Sequence, residues 1–242
     1  MRSAVSDYLN NYEQFTLFGP SHWAAILLFL FLVSWLPWFA KNRLNPSQQE
    51  WVGRGMCALI FINYPIWVFL EIIGGSFDIK VHLPFHLCRF ANLLIPFVLI
   101  KRNEFVFQII FFWVLSGVFQ GMISPDIFQD FPHFHYFRFF IGHNLMVVAI
   151  IYAVVVYKLR PTFVGLKYAF IGLNLFLLIS FIVNVSLDAN YFWIMSKPLT
   201  GSLLDFMGPW PWYILVGEFV ALVHFGLAYQ IYLWMKPRLN HA

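Results

Sequence analysis

The chain has 242 residues, of which 61% are hydrophobic and only 11% charged, and its formal net charge is +4. Soluble domains carry about 25% charged residues, so an ordinary soluble domain is excluded; without a basic block, nucleic acid is excluded as a partner. Apolar runs of roughly 18 residues or more are read as membrane spans, and they cover most of the chain, leaving one membrane domain over residues 1–242.

The N-terminal stretch MRSAVSDYLNNYEQFTLF lacks the basic-then-apolar layout of a cleaved signal peptide, so the first apolar run is expected to persist as a helix. Hydropathy predicts spans near 22–40, 54–74, 82–100, 104–122, 134–157, 163–186 and 211–235. Each matches a hydrocarbon core of about 30 Å at 1.5 Å per residue. The expected fold is therefore all-α, a bundle of seven transmembrane helices. Pro84 and Pro96 make the third span the least regular, and no internal repeat is visible.

Loop charges predict the orientation. Lys41, Arg43 and Arg54 follow span one, Lys101 and Arg102 follow span three, Lys158, Arg160 and Lys167 follow span five, and Lys236 and Arg238 lie in the tail. The opposite side holds only Arg2, Lys80, Arg138 and Lys197, together with Asp7, Glu13, Asp78, Asp126, Asp130, Asp188 and Asp205. Ten basic residues against four predict an outer N-terminus and a cytoplasmic C-terminus. Two outer connections, SPDIFQDFPHFHYF and DANYFWIMSKPLTGSLLDFMGPWPWY, are rich in aromatics, Pro, Gly and Asp. Such a composition is read first as an interfacial aromatic belt, with a lid over an outward-opening cavity as the second reading.

Ionisable side chains within spans are costly unless paired or wetted, and each marks a candidate site. Here they are Glu71, His86, Cys88, Arg89, His143, Glu218 and His224. At the helical rise, Cys88 falls ~9 Å, His143 ~13 Å, Glu218 ~10 Å and Glu71 ~5 Å below the outer boundary, with His224 deeper at ~20 Å. Four helices thus contribute to one layer. A thiol becomes a nucleophile as thiolate, a form that a neighbouring His or Arg favours. Cys88, next to Arg89 and level with His143, supplies the parts of such a pair, with Glu218 or Glu71 available to orient the base. The bland alternative is that Cys88 is a small buried apolar residue, the commonest fate of a free cysteine. Cys57 lies near the inner boundary, too far from Cys88 in depth for a disulfide.

On a regular helix His82, His86 and Arg89 share one face, while Cys88 lies about 200° from His86, which favours His143 as base. His133 and His135 flank an aromatic, but no HExxH or CxxC spacing is present; neither a metal nor a cofactor is expected.

HLPFHLC at His82 to Cys88, SPD at Ser124 to Asp126, and FPHFHYFRFFIGH at Phe131 to His143 resemble the YwaF-like membrane proteins related to transmembrane protein 164. NYFWIMSKP at Asn190 to Pro198 and SLLDFMGPWPWY at Ser202 to Tyr213 continue the likeness. The resemblance implies an acyltransferase moving fatty acyl chains among glycerophospholipids through a cysteine acyl-enzyme. The nucleophile then falls on Cys88 and its partner on His143, with His86, Arg89, Asn92, Glu71, Glu218 and Asp205 in supporting positions. Arg89 or Asn92 is placed to stabilise an oxyanion or bind phosphate. Phospholipid and lysophospholipid are the expected partners, and the plasma membrane of a bacterium the expected location. The competing class is a transporter, channel or receptor using the His/Glu cluster, with Pro65, Pro96 and Gly217 supplying helix breaks.

Overall fold

The computed structural model of the chain describes residues 2–199 and 201–241; the side chains of Arg2 and Arg238, both counted in the charge bias, lie outside that description. Among the described residues the only β pairing is an isolated bridge between Gln14 and Gln129. A short helix α1 (Arg2–Asn10) precedes α2 (Pro20–Arg43), α3 (Pro46–Gly74), α4 (Leu87–Leu99), α5 (Glu104–Ile123), α6 (Phe134–Val155), α7 (Phe163–Leu187) and α8 (Trp212–His241). Six of them, α2, α3 and α5 to α8, are long and apolar enough to cross a membrane. The chain is a multi-pass membrane protein. Its lipid-facing character is visible in the large apolar side chains left outside, among them Leu28, Phe31, Ile171, Leu175 and Phe219.

Caps set the helix limits. Asn45 accepts a hydrogen bond from the Gln48 amide while the Gln48 side chain bonds back to Asn45, and Pro46 occupies the first turn. That capping box starts α3 well before residue 54, where hydropathy placed it, because the polar run SQQE is helical but not apolar. The Asn103 and Thr162 side chains cap α5 and α7 by accepting from the Val106 and Gly165 amides, and Gly75 in the left-handed region closes α3.

The third expected span needs correction. Residues 82–86 are not helical, and α4 holds only 13 residues. That is about 20 Å of helix, short of a bilayer core. Proline explains the late start: Pro84 disfavours helix at Leu83 and supplies no N–H. The backbone groups freed there find side chains instead. The Tyr64 hydroxyl donates to the His82 carbonyl at 2.8 Å, the Leu83 amide donates to the Tyr191 hydroxyl at 3.0 Å, and the Arg89 guanidinium donates to the Val81 carbonyl. Irregular backbone at membrane depth is tolerated only when it is satisfied in this way. The proposed common face of His82, His86 and Arg89 therefore does not exist, and seven long spans become six plus one short helix.

The connections segregate. Glu50 pairs with Arg102, the Tyr152 hydroxyl donates to the Gln49 carbonyl, and Gln108 Nε2 donates to the Arg160 carbonyl, so the α2–α3, α4–α5 and α6–α7 connections meet at one end. At the other, Lys80 pairs with Asp188 and the Phe15 amide bonds the Phe128 carbonyl. The first of these ends carries the basic loop clusters. Of the long apolar helices, α6 is the most enclosed, running through the middle of the bundle.

Gln108 ties α5 to the start of α7, its Oε1 accepting from the Thr162 amide at 2.9 Å. A Cβ at Gly165 would lie 1.8 Å from that oxygen. Gly165→Ala is expected to destabilise the bundle by about 1–3 kcal/mol through overpacking. A thermal midpoint in detergent equal to that of the parent chain would contradict it.

Candidate functional site

Two departures from regular helix shape the site. Val114–Val118 in α5 and Ile141–Leu145 in α6 are π-helical, each adding a residue to one turn, a feature concentrated at functional sites. Neither falls at Pro65, Pro96 or Gly217, which all lie inside continuous helices. The two π segments present Ser116, Gly117, Gly142 and His143 to one cavity of about 370 Å³. Glycine is needed at the closest approaches: a Cβ at Gly142 would lie 3.0 Å from Asn63 Nδ2 and 3.2 Å from Asn92 Nδ2.

Cys88 sits in the first turn of α4, and its thiol lies beside the His143 side chain on the wall of this cavity. The imidazole is held on two sides. Its ring stacks on Phe139 at 4.0 Å, and its Nδ1 is 2.8 Å from the Phe139 carbonyl. A carbonyl only accepts, so Nδ1 carries the proton and Nε2 keeps the lone pair. His86, the residue before α4, makes no side-chain capping bond and packs edge-on to Trp193 and Tyr191. The positive end of the α4 dipole thus faces the thiol, an arrangement that stabilises negative charge on sulfur.

The cavity has unlike ends. Around Cys88 and His143 lie Arg89, Asn92, Asp126 and Arg138; toward α7 and α8 the wall is mostly apolar, with Leu173, Leu177, Ile214, Ala221 and Phe225 beside Glu218 and His224. Arg89 and Arg138 both lie over the Trp67 ring, 4.4 and 4.1 Å from its centre. The Asp126 carboxylate shares that end of the cavity with the two guanidiniums and attracts both. The indole is oriented by its own N–H, which donates to Glu71 Oε1 at 2.8 Å.

The expected supporting residues separate into two groups. His86, Arg89, Asn92, Glu218 and His224 line the cavity with Cys88 and His143. Glu71 and Asp205 do not. Glu71 is occupied by Trp67 and Ser76, with His135 Nε2 at 3.4 Å and His82 Nε2 at 3.8 Å, and it reaches the site only through Trp67. Asp205 accepts from the Ser202 amide at 2.7 Å and closes a short turn, Leu203–Phe206. Glu218 accepts from Asn174 Nδ2 at 2.8 Å, which commits one of its oxygens to α7 and away from His143. Sequence reasoning passed over Arg138, Asp126 and Trp67. Arg138 and His143 are five residues apart, on different faces of a regular helix but brought round by the π segment.

The aromatic connection between α7 and α8 is a lid: Trp193, Ile194, Leu203, Leu204 and Met207 all face the cavity. Its other residues reach outward, Leu199 at 95% and Phe206 at 88% exposure, as interfacial anchors do.

Gly121 bears on the pair directly. A Cβ there would lie 2.9 Å from His143 Cδ2 and 3.1 Å from Nε2, pushing the ring off Phe139 or toward the thiol. Gly121→Ala is expected to slow alkylation of Cys88 by a soluble iodoacetamide about 10-fold or more, since small misplacements of a reacting pair are costly. An unaltered rate would show the ring to be free to move.

Fold and site together define a multi-pass membrane helix bundle with a thiol–imidazole pair in a cavity roofed by an aromatic lid. Residues 17–229 match the TMEM164 family, and the chain belongs to it. An uncharacterised protein of Treponema pallidum (strain Nichols) is 28% identical over 189 residues, 76% of this chain and 77% of the relative. No solved structure matches the chain.

Proposed function

We propose that the protein is an intramembrane cysteine acyltransferase or lipid hydrolase acting on the acyl chains of glycerophospholipids in a bacterial plasma membrane, with the basic end of the bundle in the cytoplasm. The observation that carries the reading is the juxtaposition of Cys88 and His143 on the wall of a cavity whose α7 and α8 side is largely apolar. His143 Nε2 takes the thiol proton as sulfur attacks the ester carbonyl carbon. The tetrahedral intermediate collapses, the C–O bond breaks, and the departing lysolipid oxygen takes the proton back from His143. In the second half a lysolipid hydroxyl, or water, gives its proton to His143 and attacks the thioester. An ester or a free acid forms, the C–S bond breaks, and the thiol regains the proton. The first-turn amides of α4 and the Asn92 amide are the donors for the two oxyanions.

The test is incubation of the purified protein with acyl-labelled phospholipid, with and without a lysolipid acceptor. Label appearing in the acceptor identifies a transferase, and label released as fatty acid identifies a hydrolase. Failure of both, with a proteoliposome solute flux that survives Cys88→Ala and vanishes in Glu218→Gln, would move the site to a transport role.

A further inference from the structure

We infer that Asn63 is a positioning residue: its side-chain amide holds the irregular turn of α6 that aims the His143 ring at Cys88. This rests on the thiol–imidazole reading of the site and adds to it a residue that works on the base through the backbone. The first support is a bond across the fold. Asn63 lies in α3 within the apolar run ALIFINYPIWVFL, where an amide side chain is costly unless it is hydrogen-bonded. Its Nδ2 donates to the Arg138 carbonyl at 2.8 Å, 75 residues further along the chain. A π segment slips the amide–carbonyl pairing of a helix by one residue, and carbonyls at its edge need other donors. The Arg138 carbonyl sits at that edge and takes the Ile141 amide together with Asn63. The bond from α3 therefore falls where α6 leaves regular helix, and His143 lies in the segment that follows. A slip of one residue turns a side chain by about 100° about the helix axis, enough to carry the His143 ring away from Cys88.

The second support is the fit around Gly142, the residue before His143. A Cβ there would lie 3.0 Å from Asn63 Nδ2, so the amide rests directly against the irregular turn and the glycine admits it. The third support is a division of labour between Asn63 and its neighbour. The Tyr64 hydroxyl donates to the His82 carbonyl at 2.8 Å, in the non-helical stretch that leads to Cys88. Two successive residues thus hold the two irregular segments that carry the pair, Tyr64 the thiol's and Asn63 the imidazole's. α3 runs unbroken through this stretch and is the fixed element against which both segments are set. Asn63, Trp67 and Glu71 follow at intervals of four on one face of it, so the same face carries the indole against Arg89 and Arg138.

The test is a double-mutant cycle on the full chain, read as the rate at which a soluble iodoacetamide alkylates Cys88 and followed by peptide mass so that Cys57 does not contribute. Asn63→Leu keeps the volume and loses the donor. It is expected to slow alkylation about 10-fold in the parent chain, since small misplacements of a reacting pair are costly, and by less than about 2-fold when His143→Gln is already present. Tyr64→Phe, which frees the thiol's own segment, is expected to slow it in both backgrounds. Asn63→Ala takes the place of Asn63→Leu if that variant does not fold. An effect of equal size with and without His143 makes Asn63 a donor to the fold alone and overturns the inference, as does a rate in Asn63→Leu equal to the parent's. Because alkylation uses no lipid, either result leaves the acyl-transfer reading standing. A rate that His143→Gln leaves unchanged removes the thiol–imidazole pair, and the positioning role with it.

Discussion

Replacing Cys88 with alanine is expected to lower acyl transfer by at least ~10³-fold and to abolish any hydroxylamine-sensitive acyl-enzyme, with little change in thermal midpoint. The kinetic effect is large because the other cysteine, Cys57, lies elsewhere and the cavity hydroxyl of Ser116 is committed to the Phe112 carbonyl at 2.8 Å. The stability effect is small because Cys88 is only partly buried and faces open cavity, so truncation enlarges a space that already exists. Cys57 provides the internal control. It is 3% exposed in the main apolar core, so Cys57→Ala should cost stability through a new void and leave transfer unchanged. Intact-mass measurement after incubation with a phospholipid reads both variants. An acyl adduct of the expected mass on the Cys88→Ala chain, or equal turnover by it, would end the covalent account.

Length and hydropathy made the long helices legible, since a run such as AAILLFLFLVSWL can only be satisfied in lipid or a core. They failed at α4 because a hydropathy window averages over VHLPFHLC and does not register that Pro84 forbids regular helix or that Arg89 holds the carbonyls before it. Cys88 and His143 were paired through a depth argument that assumed helix from His82. The pair meets even so, because the short helix begins beside the site and places Cys88 in its first turn. The π segments had no signature in VLSGV or IGHNL beyond a glycine in each, and without them the direction of Arg138 could not be read. By loop charge alone Arg138 reads as an outer cation and Asp126 as an outer acid, and the cavity that takes both in is not legible there. Glu71 was placed in the right layer, but depth carries no azimuth. Its carboxylate turns toward Trp67, Ser76, His82 and His135 and away from the cavity.

The imidazole should matter nearly as much as the thiol. His143→Ala is expected to reduce transfer by ~10²–10⁴-fold, the usual range for a positioned general base. His143→Gln should do no better, since an amide can fill the place and hydrogen-bond the thiol yet cannot take its proton at neutral pH. The two variants separate basicity from shape. The geometry also predicts chemical rescue: the ring occupies a slot between Phe139 and Gly121, so its removal leaves a flat void that added imidazole can enter. Partial recovery of transfer by imidazole in His143→Ala, with none in His143→Gln where the slot is filled, is the expected pattern. Alkylation of Cys88 gives a readout independent of lipid, and its rate at pH 7 should fall about 10-fold or more in both variants, because the thiolate loses its partner. If Cys88 reacts as fast without His143 as with it, their proximity has no chemical consequence, and the activating groups must be the α4 N-terminus and the two guanidiniums alone.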